Sequence, residues 1–287
     1  NGKRPHEAMI IASLMNKHPA LGLQTLVGLL DVAYGFVASE ASILSAIAML
    51  QGGFFQKAQI ASFGNLWYCT LQDGFLVPTD AFLTLLENET YQREVADILA
   101  FGEFEYRQHY LEGRDEHDLV LYQKYTRQDV CRLLHWEKDE SSTTYGYKVH
   151  KPTGTCPLFV TYHKKKETIN ASTDYPDEFL SRNLFQWATR NNVKINGSEP
   201  PYIRGEKGPM QTFLFVQKSN DEGRAFYYLG KTKFLTNVQK TIIDDKGKIL
   251  PMVEMVFRLP ESVPQELYSY IIEKIAAEGV PRVSAIG

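Results

Sequence analysis

The spacing of apolar residues changes period once along this chain, and that change limits the fold more than any single motif. Up to about residue 110 apolar positions recur at three- and four-residue intervals, the mark of helices with one buried face. Glu7 to Met15 is a short apolar run closed by Asn16 and Pro19, and Leu21 to Val37 is rich in Leu and Val. Ser39 or Ser42 is placed to cap a helix that carries Ile43, Ile47 and Leu50 on one stripe and stops at Gly52-Gly53. A short aromatic run, Leu66 to Leu71, precedes Gly74 and Pro78, after which Thr79 and Asp80 open Phe82 to Leu86. A last helix is predicted from Tyr91 to about Tyr110, with Val95, Ile98, Leu99 and Phe101 inward. Helices interrupted by one short extended segment fit a small bundle or a winged-helix-like domain.

From Tyr145 onward the period is two. Leu158, Val160 and Tyr162 share one strand face, and Phe159, Thr161 and His163 the other. Strands are predicted at 213–216, 226–229, 241–243 and 249–259, with turn signals at Asn220-Asp221-Glu222-Gly223 and Asp244-Asp245-Lys246-Gly247. A short helix is predicted near Asp177–Arg190 and another from about Pro264 to Ala277. The charged, Gly-containing stretch Glu112–Asp118 separates the two regimes. The expected organisation is α+β, a helical domain over 1–118 and an antiparallel β-barrel-like domain over 119–287. Thr126, with Asp129 three residues on, opens the second domain with a capping box.

Charge divides along similar lines. Residues 1–120 hold 7 Lys and Arg against 15 Asp and Glu, whereas the rest of the chain holds 24 against 19. A basic half beside an acidic one suits an anionic partner or chance variation of solvated surfaces equally well. No run of apolar residues is long enough for a membrane span, and three scattered cysteines, Cys69, Cys131 and Cys156, fit a reducing, cytoplasmic setting. The first residue is Asn1 rather than Met, as in the tail of a longer protein.

The familiar catalytic motifs are missing. Gly230-Lys231-Thr232 lacks the upstream glycine of a phosphate loop, which falls at Ala225, and it follows a strand-like run. No zinc-ligand spacing or serine-hydrolase elbow occurs. No catalytic residue, metal ligand or cofactor is therefore assigned. Pro176-Asp177 with Asp244-Asp245-Lys246 loosely imitates the metal-binding carboxylates of nucleases, a lesser alternative because Asp244–Gly247 is also an ideal tight turn.

One constellation does combine flat rings with cations. Tyr162-His163-Lys164-Lys165-Lys166 ends a strand, and Ser172, Tyr175, Phe185, Trp187 and Arg190 follow. Rings stack on bases at about 1–3 kcal/mol each, and cations neutralise phosphates. The long segment from Ala188 to Gln211 adds Lys194 and Arg204. The candidate nucleic-acid contacts are Tyr162, His163, Lys164, Lys165, Tyr175, Trp187, Arg190, Lys194 and Arg204. The bland reading places Phe185 and Trp187 in the core and leaves the lysines as a solvated strand end.

Ordered runs of residues carry a family resemblance. They are Tyr125–Val130, Leu133–Glu140, Gly146-Tyr147, Pro157–Lys164, Tyr175–Leu180, Phe185–Arg190 and Phe226–Gly230. Over about 125–275 the chain resembles an uncharacterised domain at the C-terminal end of bacterial superfamily-II DEAD/DEAH-box helicases, which often carry a phospholipase-D-like nuclease domain at the other end. Residues 1–120 are similar to the helical connector before that domain. The resemblance implies a parent protein that moves on nucleic acid in repair or defence, with its ATPase core as a partner, and a DNA-reading role for this part. No helicase motif lies in the chain. The short strands, basic loop and aromatic positions also look like the PUA/SRA-like barrels that sense modified or flipped bases. A structural module that docks on the helicase core or another protein is the alternative.

Overall fold

The computed structural model describes residues 2–18, 21–64, 67–164, 177–244 and 246–274. The chain divides into two compact units. The first is Asn1–Pro157 with Phe226–Tyr228, and the second is Leu158–Ala225 with Leu229–Gly287.

The first unit is mainly helical, with α1 (His6–Met15), α2 (Leu23–Tyr34), α3 (Glu40–Leu50), α4 (Lys57–Phe63), α5 (Asp80–Leu85), α6 (Glu89–His109) and α7 (Arg127–Leu133). A two-stranded hairpin, β1 (Cys69–Gln72) and β2 (Phe75–Pro78), lies between α4 and α5. The Ser39 hydroxyl accepts from Ser42 N at the start of α3, and Thr79 accepts from Phe82 N at the start of α5, so short polar side chains satisfy the free amides of both helices. Leu21, Leu26, Leu30, Ile43, Ile47, Leu50, Leu76 and Phe82 form the core that these elements enclose.

Helix α6 is rotated from its predicted setting. Tyr106 is buried and Tyr91, Val95, Leu99 and Gly102 are half-buried, while Ile98 and Phe101 face outward at 67% and 65% exposure. The buried seam includes a glycine that hydropathy does not count. A Cβ added to Gly2 would meet the Gly102 carbonyl oxygen and Glu105 Cβ, both at 2.8 Å, so a glycine at position 2 is what lets the chain lie close against this face of α6.

The capping box of α7 forms as the sequence indicates. Thr126 Oγ1 accepts from Asp129 N at 3.1 Å and the Asp129 carboxylate accepts from Thr126 N at 2.9 Å. Strand β3 (Lys124–Thr126) leads into it, and Tyr122 N and Gln123 O both bond Tyr228.

The second unit is built on a sheet that curls into a half-barrel. Its strands are β4 (Thr155–His163), β5 (Glu178–Ser181), β6 (Leu184–Ala188), β7 (Gln211–Ser219), β8 (Ala225–Ile243) and β9 (Ile249–Arg258), in the order β4-β7-β8-β9-β6-β5. The pairs β5–β6, β6–β9 and β8–β9 are antiparallel. The path has two ends, so the predicted barrel is an open one. Phe185, Trp187, Met255 and Phe257 fill the inner face, and β7 is buried on both faces. A short helix α8 (Pro200–Ile203) and a last helix α9 (Gln265–Ile272) complete the unit.

Two sequence expectations fail here. The helix near Asp177–Arg190 is the β5–β6 hairpin. Phe185 and Trp187 alternate inward at period two, which a helix would place on different sides. The strands predicted at 226–229 and 241–243 are one strand of 19 residues. Its middle is polar because it is exposed on one side.

Candidate nucleic-acid interface

Strand β4 is buried as far as Val160 and half-buried at its last three residues, so Tyr162 and His163 emerge at the rim of the sheet. The Tyr162 ring packs 5.7 Å from Phe179 and edge-on to His163 at 5.1 Å. Burial pushes the Tyr162 phenol up. His163 Nε2 lies 2.9 Å from the Ile271 carbonyl of α9, which makes that nitrogen the donor. Lys164 Nζ is 3.5 Å from the Asp177 carboxylate, which also accepts from Ala188 N at 3.0 Å. Burial pushes the Asp177 carboxyl up, with Lys164 and the Ala188 amide working against the rise. These three predicted residues do come together, and part of their bonding capacity ties β4 to α9 and to the β5–β6 hairpin.

The others have separate settings. Trp187 is 2% exposed and tilts against Phe257 at 6.1 Å. Its ring belongs to the core, and the stacking role assigned to it is corrected: a base would have to displace the sheet interior to reach it. Arg190 pairs with Glu199 at 2.8 Å, and Arg204 with Glu206 at 2.6 Å and with the Ile195 carbonyl at 2.8 Å. The 188–211 segment is thus pinned by its own ion pairs and by buried Ile203, with Lys194 exposed on it. Lys165, Lys166, Ser172, Tyr175 and Asp245 lie outside the described residues.

The nuclease arrangement does not form among the described residues. Asp244 Oδ1 accepts from Lys246 N at 2.9 Å and Lys248 N at 2.8 Å, closing its own turn. Asp177 bonds Ala188, which pairs with Glu254, and Glu254 pairs with Val238. Asp244 follows the end of β8, six residues beyond Val238 and roughly 20 Å away at strand spacing, beyond the reach of one metal. Elsewhere, Asp115, Glu116 and His117 offer ligand atoms within 4.8 Å of one another. Asp115 already accepts from the amides of His117 and Leu119 and from the Tyr228 hydroxyl, so it serves its loop.

The register of β8 and β9 brings together two cations that sequence reasoning missed. Lys233 stands directly opposite Arg258, and both are exposed. Neither has an ion pair among the described residues. Leu235 is the extra residue of a bulge between Phe234 and Thr236, which keeps Lys233 and Arg258 on the outer face while Phe234 and Phe257 stay inside. Like charges directly opposite on a sheet repel and destabilise the pair. The alternation of Glu254, Val256 and Arg258 signalled this outer face in the sequence, but splitting β8 into two strands hid its partner.

A fold of this kind, a mainly helical unit joined to a curled sheet, is α+β with a polar, cation-bearing outer sheet face. The family model described as Domain of unknown function (DUF3427) matches residues 119–271, more than half of the chain, and the chain belongs to that family. Residues 1–110 match the family model described as Domain of unknown function (DUF8090). No curated protein matches in sequence. Among solved structures, the chain is similar at 10% identity to the sulfur binding domain and SRA domain of ScoMcrA complexed with phosphorothioated DNA. That match covers 93% of this chain and 89% of that one, with a TM-score of 0.30. The type IV phosphorothioation-dependent restriction endonuclease ScoMcrA matches at 13% identity over 94% of this chain and 55% of that one, TM-score 0.29. Scores this low do not establish a shared fold. Among the described residues no helix is long and apolar enough to cross a membrane.

Proposed function

We propose that this chain is a DNA-recognition module. The observation that carries the reading is the exposed Lys233–Arg258 pair, two cations held face to face by the β8–β9 register. Phosphate oxygens between them would relieve the repulsion that the fold tolerates. The excess of cations over carboxylates after residue 120 supports the same reading. Tyr162, His163, Lys164 and Lys194 are secondary contacts in this proposal, and Arg190 and Arg204 would join only by exchanging a carboxylate for a phosphate. The hairpin β1–β2 bridges to Gly22, and on that basis the helical part is read as winged-helix-like. The modules are taken as 1–118 and 119–287, and the resemblance to helicase C-terminal domains supports a helicase core as partner.

The test is duplex binding by the full chain across a salt series. Affinity should fall steeply with salt, and Lys233→Gln with Arg258→Gln should lower the slope of log K against log salt by about 2. No binding to duplex DNA at about 50 mM salt sinks the proposal. A second reading, a protein-docking module, is favoured by one feature, the outward Ile98, Phe101 and Phe104 of α6 at 67%, 65% and 57% exposure.

A further inference from the structure

The helical unit holds a cavity of about 260 Å³. Its apolar wall comes from Ala8 and Ile11 of α1, Met49 and Leu50 of α3, Phe55 of the loop that follows, and Leu99 of α6. Ile98, 67% exposed, is also on the lining, so the cavity opens to solvent. The rest of the lining includes an ion cluster, Arg4, Glu7 and Arg132, whose side chains are 0%, 14% and 5% exposed. Arg4 donates to Glu7, Ser45 and the Arg132 carbonyl, and Arg132 Nη1 donates to Glu7 at 3.1 Å. Arg132 Nη2 has no hydrogen-bond partner. Asp129 Oδ1, at 3.8 Å from it, is beyond hydrogen-bond reach, and the other Asp129 oxygen accepts from Lys3 at 2.7 Å. Three cations, Lys3, Arg4 and Arg132, thus share two carboxylates, Glu7 and Asp129. One positive charge is in surplus beside an apolar wall. Glu103, also on the lining, does not offset it, because Arg107 pairs with it at 2.9 Å. A buried guanidinium nitrogen with no acceptor is costly. Water is a poor remedy, since a held water needs about two to four polar partners and the apolar wall supplies none.

We propose that this cavity binds a small amphipathic carboxylic acid, with the carboxylate on Arg132 Nη2 and the hydrocarbon chain along Ile11, Met49, Leu50 and Leu99. A surplus of one charge and a single open nitrogen suit a monoanion with one oxygen to place, whereas a phosphate dianion needs more donors than the lining offers. The apolar wall suits an alkyl chain. At ~30 Å³ per water-sized group the cavity takes about nine such groups, the size of a medium-chain acid such as octanoate. None of these residues belongs to the DNA interface proposed above, so DNA recognition stands or falls separately.

The experiment is a calorimetric titration of the full chain with octanoate, octanol and inorganic phosphate, with a thermal melt of each variant. Octanoate should saturate one site and bind at least about tenfold tighter than octanol, and phosphate should not compete with it. Ala8→Leu fills the cavity from α1 with a good helix former. It should weaken octanoate at least about tenfold without lowering the melting temperature. Arg132→Met should bring octanoate down to the affinity of octanol and leave octanol unchanged. The wild-type comparison needs no variant to fold: absence of saturable octanoate binding up to about 1 mM, or octanol binding as tightly as octanoate, overturns the proposal. So does competition by phosphate, a folded Ala8→Leu protein that binds octanoate like wild type, or a folded Arg132→Met protein that still prefers octanoate to octanol.

Discussion

Arg4 shows what one residue can be asked to do. Its guanidinium is fully buried, bonded to Glu7 at 2.6 Å, while Glu7 also accepts from Arg132 at 3.1 Å. Arg4 and Arg132 hold the Glu7 carboxyl well below the usual carboxylate range against the burial that raises it. A buried cation of this kind is costly to desolvate, and its partners are costly to abandon. Arg4→Ala should destabilise the protein by about 3–5 kcal/mol in urea unfolding, and Arg4→Met by clearly less, because Met refills the space. Equal effects would mean that the lost charge, not the lost packing, sets the cost. Nothing in the sequence around Arg4 announces this role. Lys3-Arg4 reads as a solvated terminus until α1, α3 and α7 of the same unit are seen to supply Glu7, Ser45 and the Arg132 carbonyl.

At the scale of elements, legibility followed locality. The caps of α3, α5 and α7 depend on residues three apart, and Ser39, Thr79 and Thr126 were each readable for that reason. Thr126→Ala should cost about 1 kcal/mol. Thr126→Ser should cost much less, measured by thermal melting, since the hydroxyl is what α7 needs. The β5–β6 hairpin and the length of β8 were not readable in the same way. Their residues are chosen by partners in β9, up to 74 positions away in the case of Leu184 and Arg258, and a polar middle in β8 looks like a loop unless its exposed side is known. The facing cations Lys233 and Arg258 were lost with it. The predicted stacking ring was also misjudged, because an aromatic inside a strand carries the same local signal whether its face is wet or sealed.

At the scale of the molecule, buried histidines link stability to pH. His6 is 1% exposed and its Nε2 lies 3.0 Å from Ser42 Oγ. Burial, with Arg4 adding to it, pushes the imidazole down to about 3, and burial brings His135 down to about 4. Both folded values lie below the unfolded one, so the unfolded chain takes up protons first. Their stabilisation is complete above pH 6.5 and is lost as pH falls towards 4 and then 3. For His6 the loss should reach about 2 kcal/mol by pH 5. His6→Gln should remove that part of the acid-side slope in denaturant titrations between pH 7.5 and 5, and an unchanged slope would show that His6 takes up protons alike in the folded and unfolded chain. Asp118, raised by burial and with its carboxylate 4.0 Å from His6 Nδ1, opposes the trend over its own titration.

The sequence by itself determined the helical half, its caps, the switch to period two, the hairpin turns and the excess of cations after residue 120, because each is written in residues a few positions apart. Tertiary structure alone decided which rings are sealed, that the 19-residue β8 is continuous, that Arg190 and Arg204 are spent on neighbouring carboxylates, and that Lys233 meets Arg258. Those outcomes depend on strand register and burial, and both are set by which distant residues share a sheet.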